Sequence, residues 1–90
     1  MRAERKKVEP IVRMARGQLD AVLKMIEDDR YCMDIVTQLL AAEALLRKAR
    51  QEVVRGHLEG CVQDAMESGT PAQRAQKMDE IIRLLEKMEK

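Results

Sequence analysis

Aromatic residues are almost absent from this sequence, which contains one tyrosine and no tryptophan or phenylalanine. A core built without aromatic rings must be aliphatic, and seven methionines are available to fill gaps in it. Proline and glycine are scarce, with two and four residues in a chain of 90, which argues against a turn-rich β protein. The rest of the composition favours helix. We expect one all-α domain over residues 1–90, whose modest core a second chain would enlarge.

Long apolar runs are also missing, because polar residues interrupt every apolar stretch. None approaches the roughly 20 residues of a membrane span, and no apolar signal-peptide region follows the basic start. The two cysteines are too few for a disulfide scaffold. The sequence therefore predicts a cytoplasmic, reduced protein without a membrane partner, whose cysteines are free thiols or metal ligands.

Neither sign of charge dominates the chain, whose formal net charge is +1, but the charges are unevenly placed. Residues 1–16 carry six basic and two acidic side chains. A second basic cluster is opposed only by Glu52 and consists of Arg47, Lys48, Arg50 and Arg55. Positive patches of this kind bind polyanions even when the whole chain is nearly neutral.

Apolar residues at three- and four-residue spacing predict a first helix over residues 10–27. Pro10 suits its first position, where the missing N–H costs nothing. Residues 1–9 then form a basic N-terminal arm.

A second helix follows, with Asp28 or Asp29 as its N-cap, and its apolar stripe continues to about Met66. Its apolar residues repeat by sevens, which indicates a heptad-like seam for another helix. This seam consists of Cys32, Leu39, Leu46 and Val53, with Ile35, Ala42 and Ala49 at the offset positions.

The stretch "SGTPAQ" combines a helix stop with a helix start. Gly69 suits the end of the second helix, and Thr70 suits the N-cap of a third. Pro71 fits the first position of that helix, and Gln73 completes a capping box with Thr70. The third helix should run to about Met88.

The only histidine, His57, lies one helical turn before Cys61, so the two side chains share a helix face. Cys32 lies 25 residues before His57, about 37 Å away along a continuous helix. One chain cannot bring these three residues together. Two chains can, if their second helices pair antiparallel about a two-fold axis near Leu45 and Leu46, which would create two identical sites.

Two thiolates and one imidazole are soft ligands that favour Cu(I) and Zn(II). Three protein ligands suit trigonal Cu(I), whereas Zn(II) usually takes a fourth ligand, so Cu(I) is the better chemical fit and Zn(II) a competitor. On spacing alone, a histidine beside a buried cysteine on an apolar stripe also fits simple packing.

The segments "RGQLDAVLKMIEDDRYCMDIVTQL" and "HLEGCV" resemble the copper-sensitive operon repressor (CsoR/RcnR-type) family over nearly the whole chain. Its Cu(I)-sensing members carry Cys, His and Cys at the positions of Cys32, His57 and Cys61. The resemblance implies a three-helix protomer with a long central helix, an antiparallel dimer and a DNA-binding tetramer. It also implies a transcriptional repressor, and not an enzyme, that leaves operator DNA when Cu(I) binds and so switches on copper efflux or sequestration genes.

The same resemblance implies that Tyr31 and Glu80 lie beside the metal-bound histidine, and that the DNA contacts are Arg13, Arg16 and Lys48. One departure concerns the DNA surface, since many relatives have a basic residue at the position of Ile11. Basic residues of the N-terminal arm are available to compensate for it, namely Arg2, Arg5, Lys6 and Lys7.

Other functions remain open to these residues. The pair Cys32 and Cys61 could sense persulfide by forming a link between chains, although relatives that do so generally lack the histidine. A formaldehyde sensor would not need Cys61, and a nickel or cobalt sensor would want an additional histidine. An enzyme lacks a visible oxyanion-hole loop or third orienting group. A purely structural helical dimer is the remaining alternative.

Overall fold

The computed structural model describes Met1 and residues 3–88, which form three α-helices without any strand. Helix α1 spans Arg5–Glu27, α2 spans Cys32–Ser68 and α3 spans Pro71–Met88. This confirms the predicted all-α fold with a long central helix. None of the helices in the described part of the chain is long and apolar enough to cross a membrane.

Helix α1 begins five residues earlier than the sequence predicted, at Arg5 instead of Pro10. The prediction of an N-terminal arm is therefore wrong for residues 5–9, while Arg2 lies outside the described residues. Proline inside a helix removes one backbone hydrogen bond, here the one to the carbonyl of Lys6. Burial of Val8, which is 8% exposed, helps to offset that loss.

The turn between α1 and α2 uses both aspartates that were expected to cap α2, so that prediction is wrong. Asp28 is the C-cap residue of α1, and Asp29 adopts a left-handed backbone with φ 51°. The N–H of Arg30 donates to the carbonyl of Met25 at 3.0 Å, which closes the end of α1. Tyr31 is left as the N-cap of α2, without a side-chain capping bond.

Helix α3 begins as predicted. The backbone N–H of Thr70 donates to Gln73 Oε1 at 2.9 Å, and the N–H of Gln73 donates to Thr70 Oγ1 at 3.2 Å. This reciprocal pair is the capping box that the sequence indicated. Gly69 ends α2 in an extended conformation, where a Cβ atom would overlap the carbonyl of Ala65. The need for glycine therefore comes from a close contact and not from a left-handed backbone.

Small residues at heptad spacing join α1 to α2. Ala3 lies against Gly56 in the C-terminal half of α2, so the two helices run antiparallel from the turn at residues 28–31. The buried seam residues are Val8, Ala15 and Val22 on α1, with Ala42 and Ala49 on α2. Small side chains let two helices approach closely, so half of the predicted seam faces the chain's own first helix.

The protomer is a slab of 58 × 27 × 13 Å with α2 in the middle. Within the described residues, α3 contacts α2 and not α1. Only seven of these residues are buried, and all are alanine, valine or cysteine. The slab therefore has a narrow seam instead of an enclosed core.

One face of this slab is apolar. Two antiparallel helices are related by a local two-fold axis perpendicular to the plane that contains both. Residues of α1 and α2 that lie the same number of positions after a seam residue are therefore on the same face of the slab. Exposed apolar residues lie four positions after or three positions before a seam residue, and they are Val12, Leu19 and Ile26 on α1, with Leu39 and Leu46 on α2. We call these five residues the apolar face. Cys32 lies seven residues before Leu39 in the same heptad series and is exposed, so the outer half of the predicted seam faces away from α1.

Candidate functional site

The continuous course of α2 separates the predicted metal ligands into two groups. Cys32 is its first residue, and no break occurs before His57, so the two residues lie about 37 Å apart. Accordingly, the residues that the structure describes contain no group of three side chains able to hold a metal within one chain. The three predicted ligands can therefore meet only between chains.

His57 and Cys61 do lie together, as their spacing predicts. Cys61 Sγ is 3.8 Å from His57 Nδ1 and 3.5 Å from Nε2. Cys61 is buried among apolar side chains of α2 and α3, and His57 is half-buried beside it. Its apolar neighbours are Leu58, Val62, Ile81 and Leu84. The two side chains thus form a preassembled pair at the α2–α3 junction.

Helix α3 places Glu80 over the imidazole, and His57 Nε2 lies 2.8 Å from Glu80 Oε1. The hydrogen bond with His57 lowers the pKa of Glu80, and Lys77, at 3.4 Å from Oε2, lowers it further. An ionised carboxylate only accepts hydrogen bonds, so Nε2 must be the donor. Nδ1 of a neutral imidazole then keeps its lone pair, which is available to a metal ion.

The other end of α2 carries Cys32 and Tyr31, which are both exposed. Tyr31 is 64% exposed, although it is the only aromatic residue of the chain. Within one protomer these residues lie at the opposite end of α2 from His57. The structure therefore does not bring Tyr31 to the histidine of its own chain, and only a second chain can supply that contact.

An open groove of about 730 Å³ runs beside His57 and Glu80 between α2 and α3. Its lining combines apolar residues, such as Val53, Val54 and Leu84, with charged residues of α3. The histidine is therefore reachable from outside the protomer.

The three predicted DNA contacts are exposed, but they do not share one face. Arg13 lies on the outer edge of α1, and its Nη2 is 2.7 Å from Glu9 Oε1. Arg16 follows seam residue Ala15 by one position, whereas Lys48 precedes Ala49 by one. Residues of α1 and α2 with opposite offsets from the seam lie on opposite faces of the slab, because the two-fold axis is perpendicular to it. Arg16 therefore lies on the same side as the apolar face, and Lys48 lies on the other side.

Sequence reasoning missed the partners of several basic residues. Glu9 lies between Arg5 and Arg13, in contact with both, and Glu52 lies 2.8 Å from Arg55. Three- and four-residue spacing between opposite charges was the available signal. Among the described residues, the basic clusters therefore contain both cations with an ion pair and cations without one.

Comparison with solved structures shows a close match over nearly the whole chain. The crystal structure of the copper-sensing repressor CsoR with Cu(I) from Geobacillus thermodenitrificans NG80-2 superposes with a TM-score of 0.85. The match covers 96% of this chain and 86% of that one, at 29% sequence identity.

Relatives found by sequence comparison are also copper-sensing transcriptional repressors. The copper-sensing transcriptional repressor CsoR of Mycobacterium ulcerans is 38% identical over 58 residues, 64% of this chain and 50% of that protein. The copper-sensing transcriptional repressor CsoR of Bacillus subtilis is 31% identical over 67 residues, 74% of this chain and 66% of that protein. The chain thus matches about half the length of the first relative and two thirds of the second.

The family of metal-sensitive transcriptional repressors matches residues 4–87, which is nearly the whole sequence. It is a family of repressors and not of enzymes, in agreement with the sequence-based expectation. The three helices, the preassembled histidine–cysteine pair and this match lead to one conclusion. The chain belongs to the metal-sensitive transcriptional repressor family.

Proposed function

We propose that the chain is a Cu(I)-responsive transcriptional repressor. In this proposal, Cu(I) binds between two copies of the chain, with Cys32 from one copy and His57 and Cys61 from the other. The observation that carries it is the hydrogen bond between His57 Nε2 and Glu80, which leaves the lone pair on Nδ1, 3.8 Å from Cys61 Sγ. The copper-sensing descriptions of the relatives support the same metal.

The outer stripe of α2 supports the pairing of two copies. Its exposed and half-buried residues recur by sevens from Cys32 to Val53. If two such stripes pair antiparallel about Leu46, Leu39 lies opposite Val53 of the second copy. Cys32 then lies opposite Gly60, between the positions of His57 and Cys61. One register thus serves both the packing of apolar residues and the assembly of the ligands.

The donor set fits Cu(I) better than Zn(II). Two thiolates and one imidazole complete a three-coordinate Cu(I) site, whereas a closed Zn(II) site needs a fourth ligand. Glu80 is held by His57 and Lys77, which disfavours it as that fourth ligand. Zn(II) therefore remains a weaker competitor that would need water or a further residue.

In its metal-free form, the protein binds operator DNA as a homodimer or homotetramer in the cytoplasm, through Arg13, Arg16 and Lys48. Cys32 lies next to the α1–α2 turn, and His57 lies beneath α3. When both bind one ion, the two chains are held at a fixed relative tilt. A tilt that binds DNA less well releases the operator and derepresses copper efflux genes, and by linkage DNA weakens metal binding equally.

The test is an anaerobic titration of the reduced protein with Cu(I) against a chromophoric chelator. We expect one tightly bound Cu(I) per chain, lost in Cys32→Ala and in Cys61→Ala. Met33→Leu, which removes the exposed sulfur next to Cys32, is the matched control and should bind as the wild type does. Cu(I) binding that is unchanged in both cysteine variants would contradict the proposal. It would favour a persulfide or thiol-redox sensor that uses the same cysteine pair.

A further inference from the structure

Glu9 lies between two arginines on the exposed side of α1, one helical turn from each. Arg5 Nε donates to Glu9 Oε2 at 2.6 Å. Arg13 donates to Oε1 through Nε at 3.1 Å and through Nη2 at 2.7 Å. These bonds lower the pKa of Glu9, with Arg5 as the larger cause, so the carboxylate is ionised at neutral pH. One anion therefore binds two cations of the basic N-terminal region.

The contact with Arg13 occupies the part of the side chain that recognises phosphate. A guanidinium binds carboxylate or phosphate through two parallel N–H donors, and the Nε–Nη2 edge of Arg13 already faces Glu9. A DNA phosphate must displace Glu9 from this edge or use the remaining donors. Arg16, three residues further along, makes no ion pair within the described residues, so Glu9 masks only Arg13 of the two predicted DNA contacts on α1.

The two ion pairs of Glu9 add little to the stability of α1. Ion pairs at four-residue spacing on an exposed helix contribute little to its stability. Arg5 and Arg13 have side chains that are 81% and 60% exposed, so water screens both pairs. A carboxylate fixed beside a phosphate-binding arginine opposes an approaching polyanion, because phosphate contacts dominate the affinity of proteins for DNA.

We propose that Glu9 acts as an intramolecular competitor of DNA phosphate, which keeps the affinity of this repressor for DNA low. The inference rests on the proposed function, which assigns Arg13 to the DNA surface. Typical allosteric coupling changes an affinity by about 5- to 150-fold. If DNA affinity were too high for a change of this size to overcome, the repressor would stay on its operator after the metal had bound. With Glu9 in place, the affinity for DNA stays low enough for metal binding to release the operator.

The experiment measures DNA affinity by fluorescence anisotropy for wild type and Glu9→Gln as a function of salt. The probes are a labelled duplex from the region upstream of the chain's own gene and a mixed-sequence duplex of equal length. We expect Glu9→Gln to bind both duplexes about threefold to tenfold more tightly at low salt. The slope of log affinity against log salt should become steeper by about 0.9 for each additional phosphate that the variant neutralises.

Two further variants separate this effect from a general change in charge or fold. Glu27→Gln removes the same charge from the same helix, about 21 Å from Arg13 and beyond the Debye length of about 8–10 Å. It should leave DNA affinity nearly unchanged. In an Arg13→Gln background, the gain from Glu9→Gln should be clearly smaller, because the competition acts largely through that arginine.

The outcomes are distinct. If wild type binds DNA in a salt-dependent manner and Glu9→Gln binds equally well or more weakly, the inference is wrong and the proposed function stands. A gain equal to that of Glu27→Gln, or one that survives intact without Arg13, also overturns it. If the wild type binds neither duplex, the inference fails together with the proposed function.

Discussion

The imidazole of His57 is oriented by a residue that does not itself need to touch the metal. Glu80 accepts from Nε2 and thereby fixes which nitrogen keeps its lone pair. Loss of such an orienting partner typically lowers metal affinity by about 10- to 100-fold without removing a ligand. We predict that Glu80→Ala keeps one Cu(I) per chain and binds it more weakly by this factor in the chelator competition.

The matched control is Glu86→Ala, an exposed glutamate of the same helix that makes no ion pair within the described residues. It should bind Cu(I) like the wild type. Equal affinities of Glu80→Ala and the wild type would mean that the observed hydrogen bond does not orient the ligand.

Two helical glycines differ in what surrounds them, which gives a paired prediction. A Cβ on Gly17 would meet nothing within 4 Å, whereas one on Gly56 would lie 2.6 Å from the Cα of Ala3. Replacing an unobstructed helical glycine with alanine stabilises a protein by roughly 0.5–1 kcal/mol. We predict this gain for Gly17→Ala in urea unfolding at fixed protein concentration. Gly56→Ala should show no such gain.

Hydrogen exchange measures the cost at Gly56 directly. The added methyl group must push Ala3 away. The amides of Lys7 and Val8, which donate to the carbonyl of Glu4, should therefore exchange faster in Gly56→Ala and at the wild-type rate in Gly17→Ala. Equal stabilisation by the two substitutions, with unchanged exchange, would show that Ala3 does not pack there in solution.

At the scale of elements, α3 depends on its first turn, because it contacts only α2 within the described residues. Thr70 caps that turn, and loss of a capping side chain costs about 0.5–2 kcal/mol. We predict that Thr70→Ala loses this amount in urea unfolding. Thr37→Ala is the control, because Thr37 donates only to the carbonyl of Met33 inside α2. Alanine is the better helix former at that position, so stability should not fall.

The ends of the helices show which parts of the fold were predictable. Thr70, Pro71 and Gln73 act on neighbouring backbone, so local chemistry was enough to place the start of α3. The start of α1 depends instead on burial of Val8 against another helix, which outweighed the signal from Pro10. Local patterns alone do not contain that contact.

The heptad stripe of α2 shows the same limit. Seven-residue spacing indicated that Ala42 and Leu46 face other helices, but spacing does not identify which helix each one faces. The structure assigns Ala42 to the chain's own α1 and leaves Leu46 exposed. The contact between His57 and Glu80 came from the family resemblance, since 23 residues in sequence separate them. Glu9 lies four residues from both Arg5 and Arg13 in the sequence, but its two ion pairs were not predicted from that spacing.

At the scale of the whole molecule, the slab leaves a large part of its apolar residues exposed. The apolar face continues across α1 and α2, with Leu46 at 47% exposure near its middle. Contiguous exposed apolar surface of this kind indicates an interface with another protein surface. Self-pairing of α2 would cover it and would also bring Cys32 to a second copy, so assembly and metal binding should fail together.

We therefore predict that Leu46→Glu abolishes both properties. A carboxylate at the two-fold axis would meet its own copy across the interface, and this like-charge contact opposes pairing. Sedimentation should detect a smaller species, and the tight Cu(I) site should disappear although all three ligands are intact. Ala44→Glu, two positions away and pointing off the apolar face, adds the same charge and should keep both properties.

A site shared between two chains also makes metal affinity depend on protein concentration in the wild type. Because two chains build each site, dilution below the dissociation constant of the dimer should weaken apparent Cu(I) binding. A chelator competition repeated over a dilution series, alongside sedimentation of the same samples, checks this. If Leu46→Glu is monomeric and still binds Cu(I) tightly, or if affinity is constant while the dimer dissociates, Cys32 does not act across the interface.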